Sequence, residues 1–361
     1  MSSDRDAAAA IEDGWLDAGS EGRFEAGLAL SLMAGVGSVH YGELLASHGS
    51  AEAALSAMPR AAVDAARSLA QRHLVRLTAI GGQLLVRGLP GYPALLLDLA
   101  DPPPVLFSLG SLELLTRTQV AIVGTRSATS YGLAVARDLA RAVAASGLVV
   151  TSGMARGVDA AAHLGALSTG GGTIAVLGTG VDVPYPRSNT SLHRAIVRQG
   201  LVLSEIPPGD RADAGSFPRR NRIIAALSGV TVVVQAGYRS GSLITAGRAL
   251  ELGRSVAAVP GPIDMASHAG SNELLRDGAQ VVTGAADLLQ LAGASLRPVF
   301  VPELHGPEAA VWSALADGPA DLDTLLARTG LPAREAAVAV GSLELAGLVS
   351  AGFSGEFRRL A

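Results

Sequence analysis

Short apolar runs alternate with longer amphipathic stretches through the middle of the chain. The amphipathic stretches have helical spacing, as over residues 131–145, and most apolar runs end at a glycine or a small polar residue. Because the runs are almost continuously apolar, they are typical of parallel strands that are buried on both faces. This alternation predicts an α/β fold, a Rossmann-like doubly wound mostly parallel sheet. The predicted strands are residues 119–123, 148–151, 173–177, 201–204, 230–235 and 255–259, with a short one at 281–282.

The regions on either side of this pattern divide the chain into further segments. An acidic, Gly- and Ala-rich start is followed by a stretch with helical spacing. The run Pro102-Pro103-Pro104 cannot be helical and predicts an extended segment. The predicted domains are a flexible N-terminus (1–22), a helical SAM-like domain (23–80), a Rossmann-like domain (81–290), a linker (291–304) and a winged-helix domain (305–361).

Two features of the flanking domains bear on nucleic-acid binding. Gly35-Val36-Gly37 lies between two predicted helices, and such hairpins can hold a phosphate on backbone N–H groups. No arginine lies between Arg23 and Arg60, which favours a packing turn instead. The predicted recognition helix of the winged-helix domain, near 333–344, offers one arginine against two glutamates. We therefore expect that domain to be an accessory or protein-contact module.

Composition excludes several kinds of chemistry. The chain has 361 residues, of which 49% are hydrophobic, and it contains no cysteine, so a disulfide or thiolate site is impossible. All 28 basic residues are arginine, which excludes chemistry that depends on a lysine, such as P-loop phosphoryl transfer. The start of the chain is polar, and no apolar run approaches the ~20 residues that span a bilayer. We expect a cytoplasmic protein that makes no membrane contact.

Positive charge is concentrated in the predicted sheet domain. The net charge of the whole chain is -4, but residues 111–304 hold 17 arginines against 13 acidic residues. Between Ala214 and Leu250 there are five arginines and no acidic residue, including the cluster Phe217-Pro218-Arg219-Arg220-Asn221-Arg222. Guanidinium groups bind phosphate oxygens, and an aromatic ring stacks on a base. This cluster predicts the floor of a site for single-stranded nucleic acid.

Glycine-rich turns after the predicted strands offer further anion contacts. Gly124-Thr125-Arg126 precedes a helix, and its N–H groups and guanidinium favour a phosphate over the alternative of a structural turn with a solvated arginine. Ser152–Asp159 is likewise a turn with small residues before a helix. Ser240-Gly241-Ser242 adds hydroxyl donors before another helix. Asp159 and His163 are four residues apart, but no nucleophile accompanies them, so we expect no catalytic residues here.

The turn that begins Gly178-Thr179-Gly180 opens like a dinucleotide fingerprint. It lacks the last glycine of that motif and continues into Pro184 and Pro186 instead of a helix. A nicotinamide or flavin site is therefore disfavoured, and we expect no cofactor and no metal. A fixed loop, with Tyr185 packed or at the edge of the site, is the preferred interpretation.

The turns, in this order, resemble the DNA-processing protein A (DprA/Smf) family. The resemblance covers about residues 24–360 and implies a homodimeric, cytoplasmic protein without enzymatic activity. Such proteins bind and protect incoming single-stranded DNA during natural transformation (competence). They also load RecA recombinase, for DNA recombination, onto strands otherwise covered by single-strand-binding protein. The matching stretches are 120–126, 151–160, 173–186, 204–205, 217–228, 240–246, 259–261 and 270–275.

The turns and the resemblance together predict a nucleic-acid site. In place of a lysine that relatives often carry before the Phe-Pro step, this chain has Asp213-Ala214-Gly215-Ser216, so Arg211 or Arg219 is expected to supply that charge. The predicted contacts are Gly124, Thr125, Arg126, Ser127, Gly153, Met154, Phe217, Arg219, Arg220, Asn221, Arg222, Ser240, Gly241 and Ser242.

Two other functions fit parts of the sequence. The fold and its turns also resemble the LOG-type nucleoside monophosphate hydrolases. The catalytic glutamate of that group falls on Thr245, which cannot act as a carboxylate base. A transcription factor that reads DNA with the winged helix is disfavoured because residues 305–361 hold 4 arginines against 7 acidic residues.

Overall fold

The computed structural model describes residues 18–213, 215–295, 304–346, 348–352 and 355–359. The chain forms two compact units, Met1–Leu296 and Arg297–Ala361. The first unit contains an N-terminal helical region and a large sheet, and the second contains the C-terminal helices and a hairpin.

Helices close to the start of the first unit share an apolar cluster with the central sheet, which contributes Phe107 and Leu177 to it. Leu28, Leu30, Tyr41 and Leu55 are fully or almost fully buried within it. Of the segment predicted to be flexible, residues 1–17 lie outside the described residues, but residues 18–22 are helical, which corrects that boundary. The four helices are α1 (Ala18–Ser31), α2 (Ser38–His48), α3 (Ala51–Ser56) and α4 (Arg60–Ala79).

A nine-stranded sheet forms the centre of the first unit in the described residues. Its strand order is β1-β2-β6-β5-β4-β3-β7-β8-β9, and all pairs are parallel except those of β2 with β1 and with β6. The sheet is therefore mostly parallel, as predicted. The strands are β1 (Gln83–Val86), β2 (Val105–Gly110), β3 (Gln119–Val123), β4 (Val149–Ser152), β5 (Thr173–Leu177), β6 (Leu201–Ser204), β7 (Val230–Val233), β8 (Ser255–Ala258) and β9 (Gln280–Val281).

Helices cover both faces of the sheet, as the apolar strands require. Apolar clusters fill each face, one with Ile223 and Ile224 against the sheet and the other with Leu139 and Val143. The doubly wound Rossmann-like class is thus confirmed. The helices are α5 (Ser130–Ala145), α6 (Val158–Leu167), α7 (Thr190–Gln199), α8 (Ser216–Leu227), α9 (Gly241–Glu251), α10 (Ala269–Arg276) and α11 (Ala285–Leu291).

The strand order reverses between β3 and β7. Successive strands β4, β5 and β6 continue to one side of β3, whereas β7, β8 and β9 continue to its other side. In open α/β sheets, ligands bind at the carboxyl ends of the strands at such a switch point, because the crossover loops diverge there. The turns after β3 and β7 are those that contain Arg126 and Ser240.

The second unit has the predicted winged-helix order. Its helices are followed by an antiparallel pair of short strands around a small core that includes Val311, Leu325 and Leu343. The elements are α12 (Gly306–Ala314), α13 (Leu322–Thr329), α14 (Ala333–Leu345), β10 (Val349–Ala351) and β11 (Phe357–Arg359). Of the predicted linker, residues 296–303 lie outside the described residues, whereas Leu291 ends α11. None of the described helices has the length and apolar character needed to cross a membrane.

Candidate nucleic-acid interface

A pocket of about 390 Å³ opens at the switch point between β3 and β7. Three segments that are distant in sequence supply its walls: the turn after β3, the first turns of α8 and the N-terminus of α9. Nine of the predicted residues line it, which brings the separate turns into one site. They are Gly124, Thr125, Arg126, Phe217, Arg220, Asn221, Ser240, Gly241 and Ser242.

The turn after β3 is fixed by backbone hydrogen bonds on both sides. Thr125 N–H donates to Gln235 O at 2.8 Å, and Val158 N–H donates to Thr125 O at 3.3 Å. Gly157 has φ of +76°, and a Cβ there would lie 2.3 Å from Thr125 O, so only glycine allows α6 to approach this closely. The Arg126 side chain is exposed and forms no ion pair with a described residue. Its charge is therefore available to an anion.

Ser127 follows Arg126 but does not line the pocket. The residue is exposed, and its N–H donates to Thr125 Oγ1 at 3.3 Å. That bond stabilises the turn from its outer side.

An aromatic ring and an amide come from α8. The Cζ atom of Arg126 lies 5.8 Å from the Phe217 ring centroid, which is cation–π distance. One turn further along α8, Asn221 donates from Nδ2 to Gly241 O at 3.3 Å and so joins the starts of α8 and α9. The pocket thus combines a guanidinium, a ring and polar backbone in one place.

The N-terminus of α9 lies at the same pocket. Ser240 is its N-cap residue, with extended backbone and a hydroxyl 3.4 Å from Ser242 N. The hydroxyls of Ser240 and Ser242 are 2.7 Å apart. The positive end of the helix dipole and these donors favour a phosphate at this position.

Arg220 lines the pocket, but its guanidinium donates hydrogen bonds within the protein. Its Nη1 donates to Gly153 O at 2.6 Å and also to Val176 O, and burial lowers the pKa of Arg220 to about 10. A Cβ on Gly153 would lie 2.6 Å from Arg220 Cζ. Gly153 therefore makes space for this side chain and does not line the pocket, and its predicted contact with DNA stays a prediction.

Arg219 and Arg222 do not line the pocket, and their predicted contacts with DNA stay predictions. Arg219 Nη2 donates to Asp213 Oδ2 at 2.7 Å. Arg222 pairs with Glu205 at 2.5 Å and with Asp101 at 3.3 Å. Both line a separate cavity beside α1, which Arg220 lines too. Arg219 and Arg222 are three residues apart in α8 and so lie on the same face of the helix.

Met154 also lies outside the pocket and is fully buried. Its φ of +56° is in the left-handed region, and Asn189 Nδ2 donates to Met154 O at 3.0 Å. The side chain belongs to the core, and a DNA contact at this residue stays a prediction.

Asp159 and His163 have separate structural environments. Asp159 Oδ2 accepts hydrogen bonds from Gly153 N at 3.2 Å and Ala155 N at 3.3 Å, and burial raises the pKa of the carboxyl. His163 is fully buried, bonds Thr173 Oγ1 at 2.7 Å, and burial lowers its pKa to about 3. Asp159 thus stabilises the loop after β4, and His163 is part of the buried core. In the described part of the chain, no three side chains cluster as metal ligands.

Comparison with known families matches all three parts of the chain. The family described as DNA recombination-mediator protein A matches residues 83–293, which is more than half of the chain. The chain belongs to this family. A DprA-like N-terminal HHH domain matches residues 26–75, and a DprA winged helix domain matches residues 298–352.

Individual relatives agree with this assignment. A putative DNA processing protein DprA of Mycobacterium tuberculosis is 42% identical over 257 residues, 68% of this chain and 66% of the relative. The chain thus spans just under two thirds of that relative. The DNA processing protein DprA of Streptococcus pneumoniae is 44% identical over 198 residues, 55% of this chain and 70% of the relative.

Two solved structures of the family share the fold. DNA processing protein A (DprA) from Streptococcus pneumoniae has a TM-score of 0.62 at 35% identity and covers 76% of this chain and 98% of its own. The Helicobacter pylori protein has a TM-score of 0.53 at 34% identity and covers 57% and 93%, respectively. The Helicobacter structure concerns the single-stranded DNA binding mode of that protein.

In this family member, the structure adds residues that the sequence interpretation did not include in the site. Arg239 and Thr245 line the pocket, and Asp159 is the one carboxylate among its lining residues, all of which are described. Tyr185 lies beside the pocket, with its ring centroid 4.8 Å from that of Phe217. The sequence analysis expected Tyr185 to be either packed or at the edge of the site, and the fold brings its loop to α8 at the edge of the pocket.

Proposed function

We propose that the protein binds single-stranded DNA through the switch-point pocket. The observation that carries this proposal is the convergence of unpaired Arg126, the Phe217 ring and the α9 N-terminus in one pocket. A guanidinium and a helix N-terminus suit phosphates, and an aromatic ring suits an unpaired base. Family membership and the Helicobacter pylori relative support the same ligand.

Binding of this kind has little sequence preference. Every nucleotide carries the same phosphate, and every base has a face that stacks on an aromatic ring. Duplex DNA binds less well, because its bases are stacked on each other and are not free to meet Phe217.

The direct test is titration of oligo-dT, followed by fluorescence anisotropy, with Arg126→Ala and Phe217→Ala. Loss of a charged phosphate contact at Arg126 should weaken binding about 10- to 100-fold. It should also reduce the slope of log K against log salt by roughly 0.7. Loss of the Phe217 ring should weaken binding roughly 5- to 150-fold, with little change in the salt slope.

Arg198→Ala is the matched control for these variants. Arg198 is exposed, forms no ion pair with a described residue, and lies at the end of α7, near the amino edge of the sheet. The control variant should bind oligo-dT as the wild-type protein does. Equal losses in all three variants, or none in any, would rule out the pocket as the DNA site.

The biological role that we propose follows that of the family. The protein protects incoming single-stranded DNA in natural transformation and loads a RecA-type recombinase onto strands that single-strand-binding protein otherwise covers. It acts as a homodimer in the cytoplasm. The description of the family as a recombination mediator supports the role in recombination.

We propose further that the protein acts by binding alone and is not an enzyme. The alternative, a LOG-like nucleoside monophosphate hydrolase, needs a carboxylate where this chain has Thr245, which is almost fully buried. The carboxylate that does line the pocket, Asp159, accepts two backbone hydrogen bonds, and burial raises its pKa. Release of free base from a 5′-nucleoside monophosphate would contradict the binding-only role.

A further inference from the structure

Tyr185 presents an open aromatic face next to the pocket. Its side chain is 48% exposed, whereas Phe217 is half-buried, and the two rings are tilted by 35° at 4.8 Å. A Cβ on Gly178 would lie 3.1 Å from Phe217 Cδ1, so Phe217 also packs closely on the loop that carries Tyr185. The Phe217 ring thus neighbours both Arg126 and Tyr185, and Tyr185 is the more exposed of the two rings.

The loop that carries Tyr185 is fixed at several points. Before Tyr185, Asp182 accepts hydrogen bonds from Gly209 N at 2.6 Å and from Arg76 Nη2 at 3.0 Å. After Tyr185, Asn189 donates from Nδ2 to Met154 O at 3.0 Å and to Ala155 O at 3.3 Å. A ring that is held in place on both sides loses little conformational freedom when a base stacks on it.

Two free cations belong to the segments that these bonds join. Arg187 begins the turn that ends at Asn189, and Arg156 directly follows Ala155. Both are exposed, and neither forms an ion pair with a described residue. The segments that hold the loop of Tyr185 thus carry two exposed charges that suit phosphates.

We propose that Tyr185, with Arg156 and Arg187, forms a second nucleotide subsite outside the pocket. The inference rests on the proposed binding of single-stranded DNA and extends it. One nucleotide occupies the pocket beside Phe217, and the base of a neighbouring nucleotide stacks on the exposed face of Tyr185. The backbone between and beyond them passes Arg156 and Arg187, so the strand leaves the pocket over the 178–189 loop.

The experiment compares Tyr185→Ala and Tyr185→Phe on oligo-dT and on an abasic deoxyribose-phosphate strand of equal length. Tyr185→Ala should bind oligo-dT roughly 5- to 150-fold more weakly than the wild-type protein, because one base loses its stacking surface. Tyr185→Phe keeps the ring and should bind within about twofold. On the abasic strand, Tyr185→Ala and the wild-type protein should bind equally.

Two further variants separate stacking from charge and from general surface effects. Arg156→Gln with Arg187→Gln should lower the salt slope by roughly 0.7 per lost phosphate contact. Leu164→Ala removes an apolar side chain that is 46% exposed, close to the exposure of Tyr185, and should leave binding unchanged.

The possible results distinguish this inference from the proposed function. If Arg126→Ala and Phe217→Ala weaken binding but Tyr185→Ala binds oligo-dT as the wild-type protein does, the second subsite is wrong and the pocket stands. An equal loss for Tyr185→Ala on the abasic strand would also overturn the stacking role. If the wild-type protein does not bind oligo-dT, both proposals fail.

Discussion

At the residue scale, Gly153 shows how a glycine makes space for a side chain of the site. A side chain at this position would collide with the guanidinium of Arg220, which donates to Gly153 O and Val176 O. Gly153→Ala should therefore displace Arg220 and lower the free energy of unfolding by about 1–3 kcal/mol. Calorimetry of the intact chain measures the loss on the transition of the first unit.

Gly247→Ala is the matched control. Gly247 lies inside α9, and nothing lies within 4 Å of a Cβ built there. The substitution should be neutral or stabilise by up to about 1 kcal/mol, because alanine favours a helix. A Gly153→Ala protein as stable as the control would show that Arg220 can move without cost.

The position of Arg126 could be predicted from the sequence, whereas those of the arginines near Phe217 could not. Arg126 follows a clear strand and a glycine turn, so its position at the carboxyl edge of the sheet could be predicted. The cluster around Phe217 could not be assigned residue by residue, since its helix was not predicted. In α8, Phe217, Arg220 and Asn221 share the pocket face, whereas Arg219 and Arg222 point to carboxylates.

At the element scale, the prediction succeeded where burial on both faces made a strand continuously apolar. The bounds of β3, β5 and β6 agree with the predicted ones, and the other predicted strands differ by one or two residues at their ends. β1 and β2 were not predicted. They form the antiparallel edge of the sheet. In the chain they precede the alternating strands and helices from which the other strands were predicted.

One contact joins helix α4 to the loop of Tyr185, and its removal is a test at this scale. Asp182 accepts hydrogen bonds from Arg76 and from Gly209 N. Asp182→Ala leaves a half-buried N–H and a guanidinium without this partner, so the free energy of unfolding should fall by about 1–3 kcal/mol. Oligo-dT binding should weaken as well, because the loop is no longer held.

Asp64→Ala is the control for the Asp182 variant. Asp64 pairs with Arg60 at 3.9 Å on an exposed surface of α4, where an ion pair contributes little. Its stability should stay within about 0.5 kcal/mol of the wild-type value. If both variants lose the same stability in thermal and urea unfolding, the loop contact has no special role.

At the scale of the whole molecule, the proposed dimer makes binding depend on strand length. Two protomers of 36.4 kDa present two pockets, and on a long strand the second contact becomes intramolecular. Light scattering should give the mass of a dimer at high concentration. Dilution below the dimer dissociation constant should weaken binding to long oligo-dT much more than to short oligo-dT. The same change for both lengths would argue against paired pockets.

Because the pocket lies at the switch point, its walls are completed at different times during synthesis of the chain. The walls of the pocket come from residues 123–126 and 217–245, on opposite sides of the reversal in strand order. A chain that is still emerging from the ribosome completes β3 to β6 at Ser204, 36 residues before Ser240 is made. Such a nascent protein already has part of its sheet but only one wall of the pocket. On the proposed mode of binding, a fragment that stops before β7 lacks the α9 N-terminus and should bind DNA more weakly than the whole chain.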